Sequence, residues 1–130
     1  MEQSVQIMMG LAYFVMGLSF LFCGPEWVAW MENIQKQGRQ ASLNMGMLHI
    51  LVGSFIVAFH WVWSGWVMIV TILGVKALAE GFVYLLFPDR LPKMIACFSP
   101  YYRPMFVFSG MLLIVLAVAL LYPVYQPYLP

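Results

Sequence analysis

The sequence predicts an all-α integral membrane protein, a bundle of four transmembrane helices built from two tandem helical hairpins. Three observations predict it: composition, span length and an internal repeat. The 130 residues are 64% apolar and 8% charged, whereas an ordinary soluble domain is about a quarter charged. Six Lys/Arg and five Asp/Glu cannot cover such a globule in water, and the apolar content excludes disorder. A formal charge of +1 is too small for an electrostatic nucleic-acid binder. The lipid bilayer is the expected surrounding, and no nucleic acid is expected as a partner.

Four apolar stretches are about the roughly 20 helical residues that cross a bilayer. The first span runs about 5–23. Its flank, Glu2-Gln3-Ser4, is not basic and no small-x-small site follows it, unlike a cleaved signal. A connector follows in which Pro25-Glu26 starts a helix. Trp27, Trp30, Met31 and Ile34 share one face of that helix, so it reads as a short amphipathic helix in the membrane interface. The second span runs about 43–60. A short turn crowded with His60, Trp61, Trp63 and Trp66 makes an aromatic belt. The third span runs about 66–87. Pro88-Asp89 opens a second amphipathic connector with Leu91, Met94, Ile95 and Phe98 on its apolar face. The fourth span runs about 105–122. Tyr122, Tyr125 and Tyr128 extend the belt, and Pro123, Pro127 and Pro130 predict an extended tail. Barrel strands would alternate apolar and polar residues, but Phe14–Cys23 and Met111–Leu121 are almost continuously apolar. Backbone in lipid must satisfy its own hydrogen bonds, which leaves helices.

Lys36 and Arg39 follow the first span, and Arg90, Lys93 and Arg103 follow the third. The second-to-third turn and both tails carry no Lys or Arg. The connectors are therefore expected in the cytoplasm and both termini outside, in the periplasm if the membrane is a bacterial inner membrane. Trp27, Trp30, Arg39, Arg90, Lys93 and Arg103 are the expected interfacial and head-group residues, with a partner docking surface as the alternative. Cys23 and Cys97 fall near the same face, where they stay reduced, and read as packing residues.

A shift of 64 residues sets Gly10 on Gly74, Gly17 on Gly81, Gly46 on Gly110 and Gly53 on Ala117. It also sets Met47-Leu48 on Met111-Leu112 and Ile50 on Ile114, and Pro25 meets Pro88 after a slip of one. The chain thus divides into two units, 1–64 and 65–130, each of span, connector and span. Two spans return the chain to its starting side, so the units are parallel repeats about an axis along the membrane normal. Within each span the small residues lie seven apart, two helical turns, on one face. Small residues let helix backbones approach closely, and heptad spacing favours a left-handed crossing.

Few polar groups fall inside the spans. Lys76 sits near the centre of the third, where a lone charge is costly. Glu80 is one turn further on the same face and can pair with it. Their repeat partners are Ala12 and Met16, so the pair belongs to one unit alone. Three readings stand open: a structural clasp, the lining of a proton, ion or substrate path, and a contact for a partner subunit or lipid. His49 and His60 project from one face of the second span, roughly 16 Å apart along the axis, too far to ligate one metal together. His49 lies on the Gly46/Gly53 seam, where a packed, hydrogen-bonded histidine is expected. Axial ligation of haem or a pigment by His49 is the alternative, and no cofactor is predicted. No phosphate loop, HExxH or nucleophile elbow is present, so no catalytic residue and no metal site is assigned. The scattered methionines read as core filling.

The second unit contains Lys76-Ala-Leu-Ala-Glu80-Gly81, then Leu85-Leu86-Phe87-Pro88-Asp89-Arg90, then Met94, with Ser109-Gly110 in the following span. Over residues 70–120 this resembles the YjeT-like family of small bacterial inner-membrane proteins, through Glu80, Gly81, Pro88 and Arg90. The first unit departs from that pattern: Met16 replaces the acid, while Gly17 and Pro25 remain. The resemblance implies a two-span hairpin fold and no activity.

The expectation from the sequence is therefore a non-enzymatic accessory or scaffold subunit that packs on other membrane subunits or self-associates. A small transporter or channel using Lys76 and Glu80 is the first alternative. A cofactor-binding protein using His49 is the second.

Overall fold

The structure, a computed structural model, describes residues 2–126. The helices are α1 (Glu2–Phe22), α2 (Gly24–Gln37), α3 (Arg39–Phe59), α4 (Met68–Leu86), α5 (Arg90–Phe98) and α6 (Tyr102–Tyr125), with a turn of 3-10 helix, Ser99–Tyr101, before α6. No strand occurs among the described residues. α1, α3, α4 and α6 are long and apolar enough to cross a membrane, and the protein is an all-α integral membrane protein.

The spans extend past the apolar stretches that announce them. α1 starts at Glu2 and α3 at Arg39, because a helix that leaves the hydrocarbon keeps its internal hydrogen bonds in the polar interface. α6 runs through Pro123 to Tyr125, so the tail is helical there rather than extended. Proline this close to a helix end removes one hydrogen bond without stopping the chain. Pro127, Tyr128 and Pro130 lie outside the described residues.

The two largest contacts between helices join α1 to α6 and α3 to α4. The first and last spans thus pack on each other, and so do the second and third. Glycine sets both seams. A Cβ on Gly17 would lie 2.8 Å from the Gly110 carbonyl oxygen, and one on Gly110 would lie 2.9 Å from the Gly17 carbonyl oxygen. On the other seam, a Cβ on Gly81 would lie 2.9 Å from the Gly46 oxygen, and one on Gly46 would lie 3.1 Å from the Gly81 oxygen. The contacts recur in register: Gly10 faces Leu120 and Leu121, and Gly74 faces Ile56 and Val57. Gly53 meets the backbone of Gly74 and Leu78, and Ala117 is fully buried on the other seam. Lipid supplies no hydrophobic drive between helices, so backbone-to-backbone packing of this kind is the main attraction available.

One polar side chain locks the end of each seam that lies away from the connectors. Gln6 on α1 donates through Nε2 to the Leu120 carbonyl on α6, at 2.8 Å. Thr71 on α4 is buried and stands 2.9 Å from the carbonyl oxygens of His60 and Val62, while its hydroxyl oxygen accepts from the Val62 N–H at 3.1 Å.

The connectors close the other end. α2 carries Pro25 and Glu26 in its first turn, and it turns into α3 at Gly38 alone, whose φ of 58° is left-handed and suits glycine. The Gly38 N–H caps α2 on the Ile34 and Gln35 carbonyls. Ile34 of α2 and Leu91 and Ile95 of α5 are buried in one cluster with Ala41, Tyr84 and Tyr102. The connectors therefore pack on each other and beneath the spans, while Trp30, Met94 and Phe98 from the same apolar faces remain exposed. Cys23, between α1 and α2, and Cys97, in the last turn of α5, are exposed rather than packed.

Candidate functional site

The charged residues of α4 meet a histidine of α3. Lys76 and Glu80 are one turn apart, and Lys76 Nζ donates to Glu80 Oε1 at 2.5 Å. The other carboxylate oxygen, Oε2, stands 3.7 Å from His49 Nε2. The His49 Nδ1 donates to the Met45 carbonyl at 2.7 Å, because that carbonyl offers no proton. The Nδ1 proton is therefore committed, and the approach of Nε2 to the carboxylate is attractive only with a further proton between them. Tyr84 packs edge-on against the His49 ring, with centroids 5.6 Å apart.

The seam glycines bring these groups together. Gly46 lies against Gly81. His49 is almost one turn beyond Gly46, and Glu80 immediately precedes Gly81. The pairing of the two glycine positions was the one sequence signal that could have joined His49 to Glu80; read span by span, it stayed hidden. The cluster is not enclosed. The Lys76 side chain is 61% exposed, and those of Glu80 and His49 are 33% and 30% exposed. Lys76 sits near the middle of the 19-residue α4, so its exposed side faces the depth that hydrocarbon fills.

His60 lies elsewhere. It caps the end of α3, is 1% exposed, and its Nδ1 is 3.1 Å from the Thr71 hydroxyl. The histidines thus serve different elements: His49 the charged cluster, His60 the turn between α3 and α4. The glycines and Ala117 form the seams.

Five of the six interfacial residues divide between two corners at the connector end. Where α1 meets α2, Trp27 stacks edge-on against Phe20 at 4.8 Å and Trp30 at 5.3 Å, and Phe20 against Phe106 at 5.0 Å. The Trp27 Nε1–H donates to Ser19 Oγ at 2.9 Å. Where α4 meets α5, an open cavity of about 870 Å³ is rimmed by Arg39, Asp89, Arg90 and Lys93 and walled by Val83, Leu86, Phe87 and Met94. Arg39 Nε lies 3.7 Å from Asp89 Oδ1, both exposed. Ser42 Oγ donates to the Pro88 carbonyl below them. Arg103 is exposed at the start of α6. Among the described residues no group of three His, Cys, Asp or Glu could hold a metal ion.

Compared with protein-family models, curated proteins and solved structures, the chain gives no match.

Proposed function

We propose that the protein is a non-enzymatic accessory or scaffold subunit, docking on another membrane chain through the α4 face that carries Lys76. The observation that supports this reading is the exposed Lys76 side chain halfway along a span. A cation at the bilayer centre costs about 2.5–3.5 kcal/mol on insertion scales. The Lys-before-Glu order is the weaker i,i+4 arrangement and offsets only part of that cost. A partner helix laid over this face would take the ammonium out of lipid. The test is a photo-crosslinker at the exposed position Ala79 in native membrane. A defined protein adduct is expected. Isolation of a lone monomer with no adduct and no co-purifying protein overturns the reading.

The approach of His49 Nε2 to Glu80 Oε2, 3.7 Å across the α3–α4 seam, favours one second reading, proton-linked transport. Under it, Glu80→Gln abolishes flux in liposomes and leaves the fold intact. Ligation by His49 is the weaker reading, since both ring nitrogens already face partners. We further propose a duplicated unit, related in its second half to the YjeT-like proteins, in a bacterial inner membrane. The basic connector end then faces the cytoplasm and both termini the periplasm, in accord with the Lys/Arg distribution.

A further inference from the structure

The two connector corners occupy equivalent places in the 64-residue register and have opposite chemistry. Phe20 corresponds to Tyr84 and Phe106 to Ser42; after the slip of one, Trp27 corresponds to Arg90 and Trp30 to Lys93. In the first corner these positions hold four stacked rings. In the second they hold a phenol, a hydroxyl and two cations. Arg39 adds a third cation from the start of α3, and the only acid on the rim is Asp89. The rim thus carries a net charge of +2, from three cations and one carboxylate. Half of the chain's six Lys/Arg converge on this cavity.

The cavity is also amphipathic along one direction. Its cations sit where α4 ends and α5 begins, and Val83, Leu86 and Phe87 continue from them along the exposed side of α4. Arg90 is held near the Phe87 ring, 6.0 Å from its centroid, so its guanidinium stays beside the apolar wall. Anionic head groups are drawn to clustered Lys/Arg at the membrane surface, and the guanidinium geometry suits phosphate oxygens.

We propose that this corner is a binding site for one anionic phospholipid. The phosphate lies among Arg39, Arg90 and Lys93, and an acyl chain lies along Val83, Leu86 and Phe87. Val83 and Phe87 share the helical face of Lys76 but lie two to three turns nearer the connectors, so the lipid site adjoins the proposed docking face without using Lys76.

The experiment uses the purified full chain in detergent micelles, mixed with equal amounts of phosphatidylglycerol and phosphatidylcholine, with retained lipid counted by native mass spectrometry. Retention of one phosphatidylglycerol in preference to phosphatidylcholine is expected. Arg90→Gln with Lys93→Gln should weaken retention about 10- to 30-fold, roughly fivefold for each cation. Lys36→Gln with Arg103→Gln removes the same charge from the same end and should leave retention within about twofold. Arg90→Lys with Lys93→Arg keeps the charge and should restore most of it, which separates loss of the site from misfolding. Equal loss in both Gln variants overturns the site in favour of diffuse attraction. Equal retention of the two lipids also overturns it. Displacement of the lipid by millimolar inorganic phosphate assigns the cations to a soluble phosphate and overturns the lipid.

Discussion

His49 and Glu80 face each other across the α3–α4 seam, with Nε2 and Oε2 3.7 Å apart and Lys76 on the far side of the carboxylate. Glu80 is thus shared between two basic groups on different helices. Removing it leaves both without their acid at the depth of the hydrocarbon, where stranding one member of an ion pair costs more than the pair contributes.

Glu80→Ala is therefore expected to destabilise the protein by about 1–2 kcal/mol, less than the loss for a fully buried pair because the cluster is a third exposed. Lys76→Met in the same chain should recover part of that loss, since it removes the stranded ammonium. Thermal unfolding in detergent of the two single variants and the double variant measures the coupling. Additive losses would show that Lys76 and Glu80 do not interact.

Gly81→Ala puts a methyl group 2.9 Å from the Gly46 carbonyl oxygen and 2.8 Å from the Ile50 nitrogen. Both are backbone atoms, so the seam must open. A loss of about 1–3 kcal/mol is expected, and Gly17→Ala should match it against Gly110. Gly24→Ala meets nothing within 4 Å and should change stability by less than about 0.5 kcal/mol. Melting temperatures of the three variants decide the point.

Thr71→Val keeps the shape and removes the hydroxyl that ties His60 and Val62 to α4. An unmet buried polar group costs about 1–3 kcal/mol. The loss should be local: faster amide exchange at Val62 and altered fluorescence from Trp61 and Trp63, whose rings stack at 5.1 Å. Unchanged exchange at Val62 would assign the cap to the backbone alone.

Gly38→Ala forces a side chain onto a backbone with φ 58° and ψ −123°, a glycine conformation, at a cost of about 1–3 kcal/mol. Because Gly38 is the whole joint between α2 and α3, the strain should also shift α2. Reactivity of exposed Cys23, at the start of α2, to a thiol reagent reports that movement.

The spans were legible because a helix in lipid must be both apolar and about 20 residues long. Lys76 and Glu80 were legible as neighbours because a single helix fixes the geometry of i,i+4 pairs. His49 joined them only in three dimensions, through a glycine register between two helices. The connectors show the same limit. Ile34 and Ile95 announce an apolar face, but nothing local says that they will bury against each other rather than against lipid. Ser42, Phe106 and the open basic corner depend on the meeting of three helices and left no local pattern to read.

The pairing of α1 with α6 sets an order of assembly. The first span is synthesised before its partner exists, and about 80 residues separate the end of one from the start of the other. α3 and α4 are joined by a short turn and can dock as soon as both have entered the membrane. Until α6 arrives, Gln6 has no Leu120 carbonyl to reach and Gly17 presents bare backbone to lipid. The molecule closes like a clasp whose two halves are its earliest and latest products, so truncation before the last span leaves α1 as an unmatched helix.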